Sequence, residues 1–479
     1  MNYRMLGYLL GLILTAEAAL MLAPASVSLA YGESVFPFLI TMGIVLLVAI
    51  PFVLQKPKNM RIYAKEGFVC VALGWLLLSA FGAIPFVLSG AIPHYVDAFF
   101  ETVSGFTTTG ASILTAVEGL PMGILFWRSF THWVGGMGVL VFVLAILPSV
   151  GNNTMYLIRA EVPGPTKGKL VPRMRHSALI LYGIYVFLTA VETISLCIAG
   201  LPFIDALVNA FGTAGTGGFA MKNLSIAGYA NPAAEWIIAI FMFLFGINFN
   251  LYFFILIRRF REIFKNEELR IYFILTAVSV GIIAANTASM FDSIGDCLRT
   301  SFFQVTSIMS TSGFSTVDFN LWPSLSKAVI FLLMMTGACA GSTAGGLKLS
   351  RCIILFKNIG REFRHILHPR SVNVTRIDGE PVNDETCRAA ANYFAVYILL
   401  LIVTFLLISI NGFGFESDFT AAFTCLNNVG PGFGAVGPAG SFAGYSYFAK
   451  VILSFTMLFG RLEIIPMVIL FSPNTWRKR

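Results

Sequence analysis

Ten apolar runs of twenty or more residues leave this chain little choice of fold, since about 20 such residues as a helix cross a hydrocarbon core of roughly 30 Å. They lie near 5–30, 35–54, 67–90, 121–148, 177–200, 232–257, 271–290, 326–356, 390–410 and 447–471. Composition agrees: 57% of the residues are hydrophobic and 12% charged, about half the soluble norm of roughly 25%. So little charge cannot cover the surfaces of a soluble fold of this length. The expected class is an all-α polytopic membrane protein.

The charge of +8 does not indicate nucleic acid, because of where the charges sit. Of 32 Lys and Arg, 26 fall at Arg4, near 56–65, 159–175, 258–270 and 348–388, and in the tail Arg477, Lys478, Arg479. Short basic loops between apolar spans mark the cytoplasmic side. Ten crossings put all of them, and both termini, on that side of a prokaryotic plasma membrane. Glu17 interrupts the first apolar run, which is also longer than a signal-peptide core, so a retained first helix is expected. The seven Cys lie mostly in apolar stretches, form no C-x-x-C pair and read as small core residues.

The connections on the opposite side carry the functional signal. After the third, fifth, seventh and ninth runs comes an apolar stretch too short to cross, closed by Gly, Ser and Thr. These segments run from Asp97 to Gly110, Asp205 to Gly218, Thr300 to Gly313 and Asp418 to Gly430. The glycine lies thirteen residues along in the first three and twelve in the fourth. The expected plan is therefore a helix pair over 1–66 and four repeats of helix, re-entrant hairpin and helix over 67–150, 151–265, 266–375 and 376–479, around one central pore.

Non-helical backbone at membrane depth survives only inside protein or against a wet cavity. Four such strips can converge on one axis, where their carbonyls replace the water shell of a cation. Glycine reaches the backbone angles this needs and leaves a narrow path unblocked. Helix C-termini aimed at the axis add partial negative charge. The candidate filter is Thr108, Thr109 and Gly110; Thr216, Gly217 and Gly218; Thr311, Ser312 and Gly313; and Asn428, Val429 and Gly430. Simple close packing of small residues explains one strip but poorly explains four at equivalent places. Nucleotide readings fail on context: Gly341–Lys348 carries Leu347 where a Walker A lysine should follow glycine, and neither it nor Gly212–Gly217 follows a strand.

Thr107-Thr108-Thr109-Gly110-Ala111-Ser112, Thr216-Gly217-Gly218-Phe219, Ser310-Thr311-Ser312-Gly313-Phe314-Ser315-Thr316 and Asn427-Asn428-Val429-Gly430-Pro431-Gly432-Phe433-Gly434 resemble the four filter strips of the Trk/Ktr/HKT potassium-uptake superfamily. Trp127–Gly138 and Gly337–Gly346 narrow the resemblance to its TrkH branch, over nearly the whole chain. The resemblance implies pseudo-fourfold symmetry, potassium as the transported and filter-bound ion, a homodimer, and gating by cytosolic nucleotide-binding TrkA-type subunits. Phe follows Gly218 as it follows Gly313, which favours Gly218 over Gly217 as the second filter glycine. One aligned glycine per wall, with Asn428 and Val429 in the fourth, implies potassium preference with imperfect exclusion of rubidium and sodium.

The run from Pro323 to Phe356 would be about 50 Å long as one helix, too long for the bilayer core. Its centre, Gly337–Gly346, holds four Gly, three Ala and one each of Ser, Thr and Cys. A break there would form a loop below the filter, with Gly337, Gly341, Gly345 and Gly346 as its flexible points; the branch carries a gating loop at this position. Lys348 just beyond is either a link to the cytosolic surface or an interfacial anchor. Arg461, in the last run, is a charge at membrane depth that would face the pore and oppose cations, or pair with Glu463. Asp97, Glu101, Asp205, Asp296, Glu416 and Asp418, near the half-helix starts, can cap helices and draw cations to the outer mouth. The basic loop 348–389 would meet a regulatory subunit or anionic lipid.

No catalytic Ser/His/Asp set, His-based metal cluster or paired carboxylates at membrane depth supports a membrane-embedded transferase. No organic cofactor is expected. Proton- or sodium-coupled symport is the nearer alternative, with Glu17, Glu192 and Glu463 as the few titratable candidates within the spans.

Overall fold

The computed structural model describes residues 1–57, 63–138, 174–371 and 373–476, with the side chains of 174–177 also outside the description. The basic segment 159–173 and the tail 477–479 fall outside it, as does 139–148 of the fourth expected span. The described chain is mostly helical. Its only strands are the two-residue pair Arg376–Ile377 and Glu380–Pro381, which form a small antiparallel hairpin.

Six described helices are long and apolar enough to cross a membrane, or seven if one bent pair counts as a span. The N-terminal pair is Tyr3–Ala30 with Phe36–Leu54. Gly7 and Gly11 let these helices approach until an added Cβ on Gly11 would sit 3.0 Å from Ala49 O and from Phe52 Cβ. Small-residue contact of this kind is how helices associate where lipid supplies no hydrophobic drive. Outward faces stay apolar, as at Leu47, Leu399 and Leu406, each mostly exposed; such a surface is stable in lipid and would aggregate in water.

Four units follow. Their first helices are Ala64–Gly82, Met174–Ile198, Glu267–Thr287 and Asp384–Ile408. Each leads to a shorter pore helix: Tyr95–Phe106, Phe203–Gly215, Ile294–Met309 and Phe415–Asn427. The third begins six residues before its expected start at Thr300, because Ser293 caps it through Gly295 N and an Asp296–Arg299 ion pair stabilises its first turn. Strips then lead into the second helices; among the described residues the first of these ends at Gly136 and the other three are interrupted.

Met122–Gly136 ends before a left-handed Gly138. Pro232–Phe245 and Phe249–Leu256 meet at 90°, so the expected straight span 232–257 is a sharp bend at Gly246–Asn248, where Asn248 caps the second segment. Ser324–Thr336 gives way to irregular backbone before Leu349–Leu367, as the small-residue run led one to expect. Tyr447–Arg461 breaks before Ile465–Phe471 at Glu463 and Ile464, both left-handed, a costly geometry for a β-branched residue. The expected span 447–471 is thus two helices.

Beginning and end of the chain meet: Lys65 Nζ donates to Asn474 O at 3.0 Å and Asn2 N to Glu66 Oε1 at 2.8 Å.

Candidate ion pathway

Each pore helix runs into the same backbone device. Thr108, Thr216, Thr311 and Asn428 are left-handed, with φ of 55°, 59°, 61° and 54°. Two residues on, Gly110, Gly218, Gly313 and Gly430 are left-handed again, at 79°, 71°, 77° and 101°. The residue between them donates its N–H back into its own pore helix. Thr109 reaches Ser104 O at 2.9 Å, Gly217 reaches Gly212 O at 2.8 Å, Ser312 reaches Ser307 O at 2.9 Å and Val429 reaches Thr424 O at 3.1 Å. Each of these N–H groups shares a trans peptide with the carbonyl of the left-handed residue before it, so the carbonyls of Thr108, Thr216, Thr311 and Asn428 point the other way. One peptide further on, the carbonyls of Thr109, Ser312 and Val429 accept no hydrogen bond among the described residues. Left-handed Thr is strained, and strain of this sort collects at functional sites. The positive φ falls on Gly218 and not on Gly217, so Gly218 is the geometric counterpart of the other three.

The strips close on one another in chain order. A Cβ added to Gly110 would overlap Gly217 O, one on Gly218 would overlap Ser312 O, and one on Gly313 would overlap Val429 O. On Gly430 it would fall 2.7 Å from Thr109 O, which completes the circle. Glycine is required at each place by a neighbour's carbonyl as well as by its own φ. All four glycines line a cavity on the vestibule side of the ring.

Among the described residues, that vestibule is not lined by acidic side chains as expected. Its charged lining residues are Arg128 and Lys222. The carboxylates near the pore-helix starts are mostly engaged elsewhere. Asp97 pairs with Lys450 at 2.7 Å, Glu101 with Arg128 at 2.6 Å and Asp296 with Arg299 at 2.7 Å. Asp418 accepts from Tyr445 Oη at 2.9 Å. Asp205 and Glu416 lie in the first turns of their helices, where acid suits the helix dipole.

On the far side of the ring lies the loop 337–348. Gly337, Gly341 and Gly346 are left-handed, and Gly345 packs so closely that a Cβ would fall 2.6 Å from Asn427 O and 2.8 Å from Asn428 Cβ. Gly345 N donates to Thr311 Oγ1 at 2.7 Å, and Thr216 Oγ1 donates to Thr343 O at 3.1 Å. The loop therefore touches the second, third and fourth strips. Arg461 supplies the remaining side, donating to Thr343 O at 2.8 Å and to Gly135 O and Gly136 O at 2.6 and 2.8 Å. The bent helix is joined in as well, through Cys339 N to Gly246 O at 3.1 Å and Phe249 N to Gly341 O at 3.0 Å. The end of Met122–Gly136 and the three helix breaks thus meet beneath the ring.

Two charge readings are corrected here. Lys348 is not an interfacial anchor: it is buried and folds back to give its ammonium to Ala344 O. The partner of Glu463 is Arg351 rather than Arg461.

Arg128 escaped the sequence reading. It is buried, bonded to Glu101 and Ala220 O, and lies 3.5 Å over the Phe219 ring, so it braces the exits of the first two strips. An arginine inside an apolar helix was the available signal.

A polytopic helical membrane protein of four hairpin units, closing a ring of carbonyls and glycines at its centre, has the make-up of a transport protein. A family model described as TrkH, cation transport protein, matches residues 37–478. The Trk system potassium uptake protein TrkH of Salmonella typhimurium is 36% identical over 487 residues, covering 100% of both chains. TrkG of Escherichia coli, also a Trk system potassium uptake protein, is 33% identical over 99% of both. The crystal structure of the potassium transporter TrkH from Vibrio parahaemolyticus superposes with a TM-score of 0.89 at 31% identity, again covering 100% of both. The chain belongs to the TrkH family of cation transport proteins, and it is a transporter rather than an enzyme.

Proposed function

We propose that this chain takes up potassium across the plasma membrane of a prokaryote by passive permeation through the ring, with both termini in the cytoplasm. The observation that carries the reading is the cyclic apposition of Gly110, Gly218, Gly313 and Gly430, each against the next strip's carbonyl. Such a circle presents backbone oxygens from four walls to one ion. Support for potassium comes from the relatives, named as potassium uptake proteins.

In this reading the filter is Thr108–Gly110, Thr216–Gly218, Thr311–Gly313 and Asn428–Gly430, belonging to repeats that run over 67–150, 151–265, 266–375 and 376–479. The loop Gly337–Gly346 with Lys348 blocks the path below it, and Arg461 holds the loop there. Rubidium and sodium pass less readily than potassium. A homodimer, lipid at the basic surface 348–389 and a TrkA-type cytosolic subunit complete the assembly. Coupled symport lacks support, since Glu463 is held by Arg351 and neither Glu17 nor Glu192 lines the vestibule.

The test is potassium, rubidium and sodium flux in proteoliposomes, for the wild type, Gly313→Ser and Arg461→Ala. Potassium should move fastest, Gly313→Ser should narrow the preference and Arg461→Ala should raise flux. Absence of cation movement in all three, with a cytosolic partner added, overturns the reading. Flux that collapses without a proton gradient replaces it with symport.

A further inference from the structure

Both ends of the loop beneath the ring are held by one atom. Glu268 Oε1 accepts from Ala340 N at 2.7 Å, on the way into the loop, and from Ser350 N at 2.9 Å, on the way out. Ser350 is the second residue of Leu349–Leu367, whose N-cap position is Lys348. A lysine there cannot cap, and Lys348 makes no side-chain cap bond. The carboxylate of another helix supplies what the sequence omits, and places its negative charge at the positive end of the dipole. Glu268 is nearly buried and has no ion pair among the described residues. Its hydrogen bonds to these two amides therefore carry the burden of holding it in place.

The residue before it reaches the surface hairpin. Asp378 Oδ1, in the hairpin turn, accepts from Glu267 N at 2.7 Å. The Glu267 carboxylate pairs with Lys357, and Lys357 Nζ also donates to Arg376 O at 2.8 Å. The hairpin, the start of Glu267–Thr287 and the exit helix of the loop form one cluster. Glu268, Ala340, Gly341, Ser350 and Asp378 line a common cavity there.

We propose that Glu268 is the positioning residue of the gate, a clasp that keeps the loop seated against the strips, and that displacing Asp378 in the 376–381 hairpin loosens it. This rests on the reading of 337–346 as the gate. When Glu268 swings away, the entering strand of the loop and the first turn of the exit helix lose their acceptor together. A cytosolic protein surface that draws the hairpin outward would thereby act on the permeation path without touching it.

The experiment is potassium and sodium flux through the full-length protein in proteoliposomes, with site-resolved maleimide labelling of Cys339, which is fully buried in the loop. Glu268→Leu should raise partner-free potassium flux by about tenfold, the factor that one hydrogen bond to a charged group supplies. Glu268→Gln, which keeps an uncharged acceptor, should fall between it and the wild type, and Asp378→Ala should shift flux the same way. Glu268→Leu with Asp378→Ala should add nothing to Glu268→Leu alone. Cys339 labelling should rise with flux, while the potassium-to-sodium ratio stays constant. Should Glu268→Leu not fold, the Gln and Asp378 variants decide. Unchanged or lowered flux in the Glu268 variants overturns the clasp, as does a shifted ion ratio. A variant lacking 342–345 separates the two ideas. If it conducts freely while the Glu268 variants match the wild type, the gate stands and the clasp falls. If it conducts no faster than the wild type, the gate reading itself fails.

Discussion

Arg128 and Glu101 are separated by 2.6 Å, and their pair fastens the second helix of the first unit to that unit's pore helix. Both side chains are buried, and Ser112 Oγ and Ile113 N complete the carboxylate's shell just beyond Gly110. Removing one charge strands the other, which in buried pairs costs about 3–5 kcal/mol. Arg128→Met should therefore lower the unfolding temperature sharply in detergent. Arg128→Met with Glu101→Leu should recover much of that loss, because two apolar groups replace the pair. A double variant no more stable than the single one would show that the hydrogen bonds to 112 and 113 matter more than the charge.

Gly218→Ala and Gly217→Ala separate two effects at adjacent positions. Alanine at 218 must take a φ of 71° and push against Ser312 O, which belongs to the third strip. Left-handed backbone alone costs about 1–2 kcal/mol for a non-glycine residue. The expected result is lost potassium preference. At 217 the new methyl meets the His132 ring behind the strip, so protein yield should fall before selectivity does. Ion ratios measured at matched protein amounts distinguish the two.

Arg461→Lys is the informative partner to Arg461→Ala. The guanidinium reaches Thr343 O and two carbonyls of 135–136 at once, a fork that one ammonium cannot span. Lysine retains the positive charge and loses the bridge. If the barrier is charge, Arg461→Lys should conduct like the wild type; if it is the bridge, it should conduct nearly like Arg461→Ala. The hydrogen-bond geometry favours the second outcome, with flux several-fold above the wild type.

Glu17→Gln and Glu192→Gln test independence from protons. Both carboxylates are buried, and neither lines the vestibule. Potassium uptake driven by its own gradient should proceed at wild-type rates in both variants, with or without a proton ionophore. A drop confined to conditions with a proton gradient would point to coupling.

Much of this architecture was visible in the residues because it is repeated. Four half-helices ending in glycine at nearly equal spacing betray a symmetric core even when each alone is ambiguous. Small residues at 337–346 likewise announced a break. Other features depend on pairings across the fold that no local pattern records. Lys450 meets Asp97 across 353 positions and joins the last unit to the first. The bend at 246–248 was masked by its apolar surroundings, although Gly246, Asn248 and Asn250 within five residues were a usable clue. Lys348 was misjudged because a lysine beside a basic loop usually faces water, whereas here the loop's own carbonyl takes its charge.

Because each glycine abuts the carbonyl of the following strip, the four walls form a handed rosette, with every wall keyed to a different neighbour. Damage to one wall is passed in one rotational direction: a methyl at 313 bears on the fourth strip, and one at 430 bears on the first. A tetramer of identical chains would have to accept the same change at every joint. With the ring as the proposed filter, a single chain with four unlike repeats can adjust one joint and leave three untouched, so a preference among ions could be tuned a quarter-turn at a time.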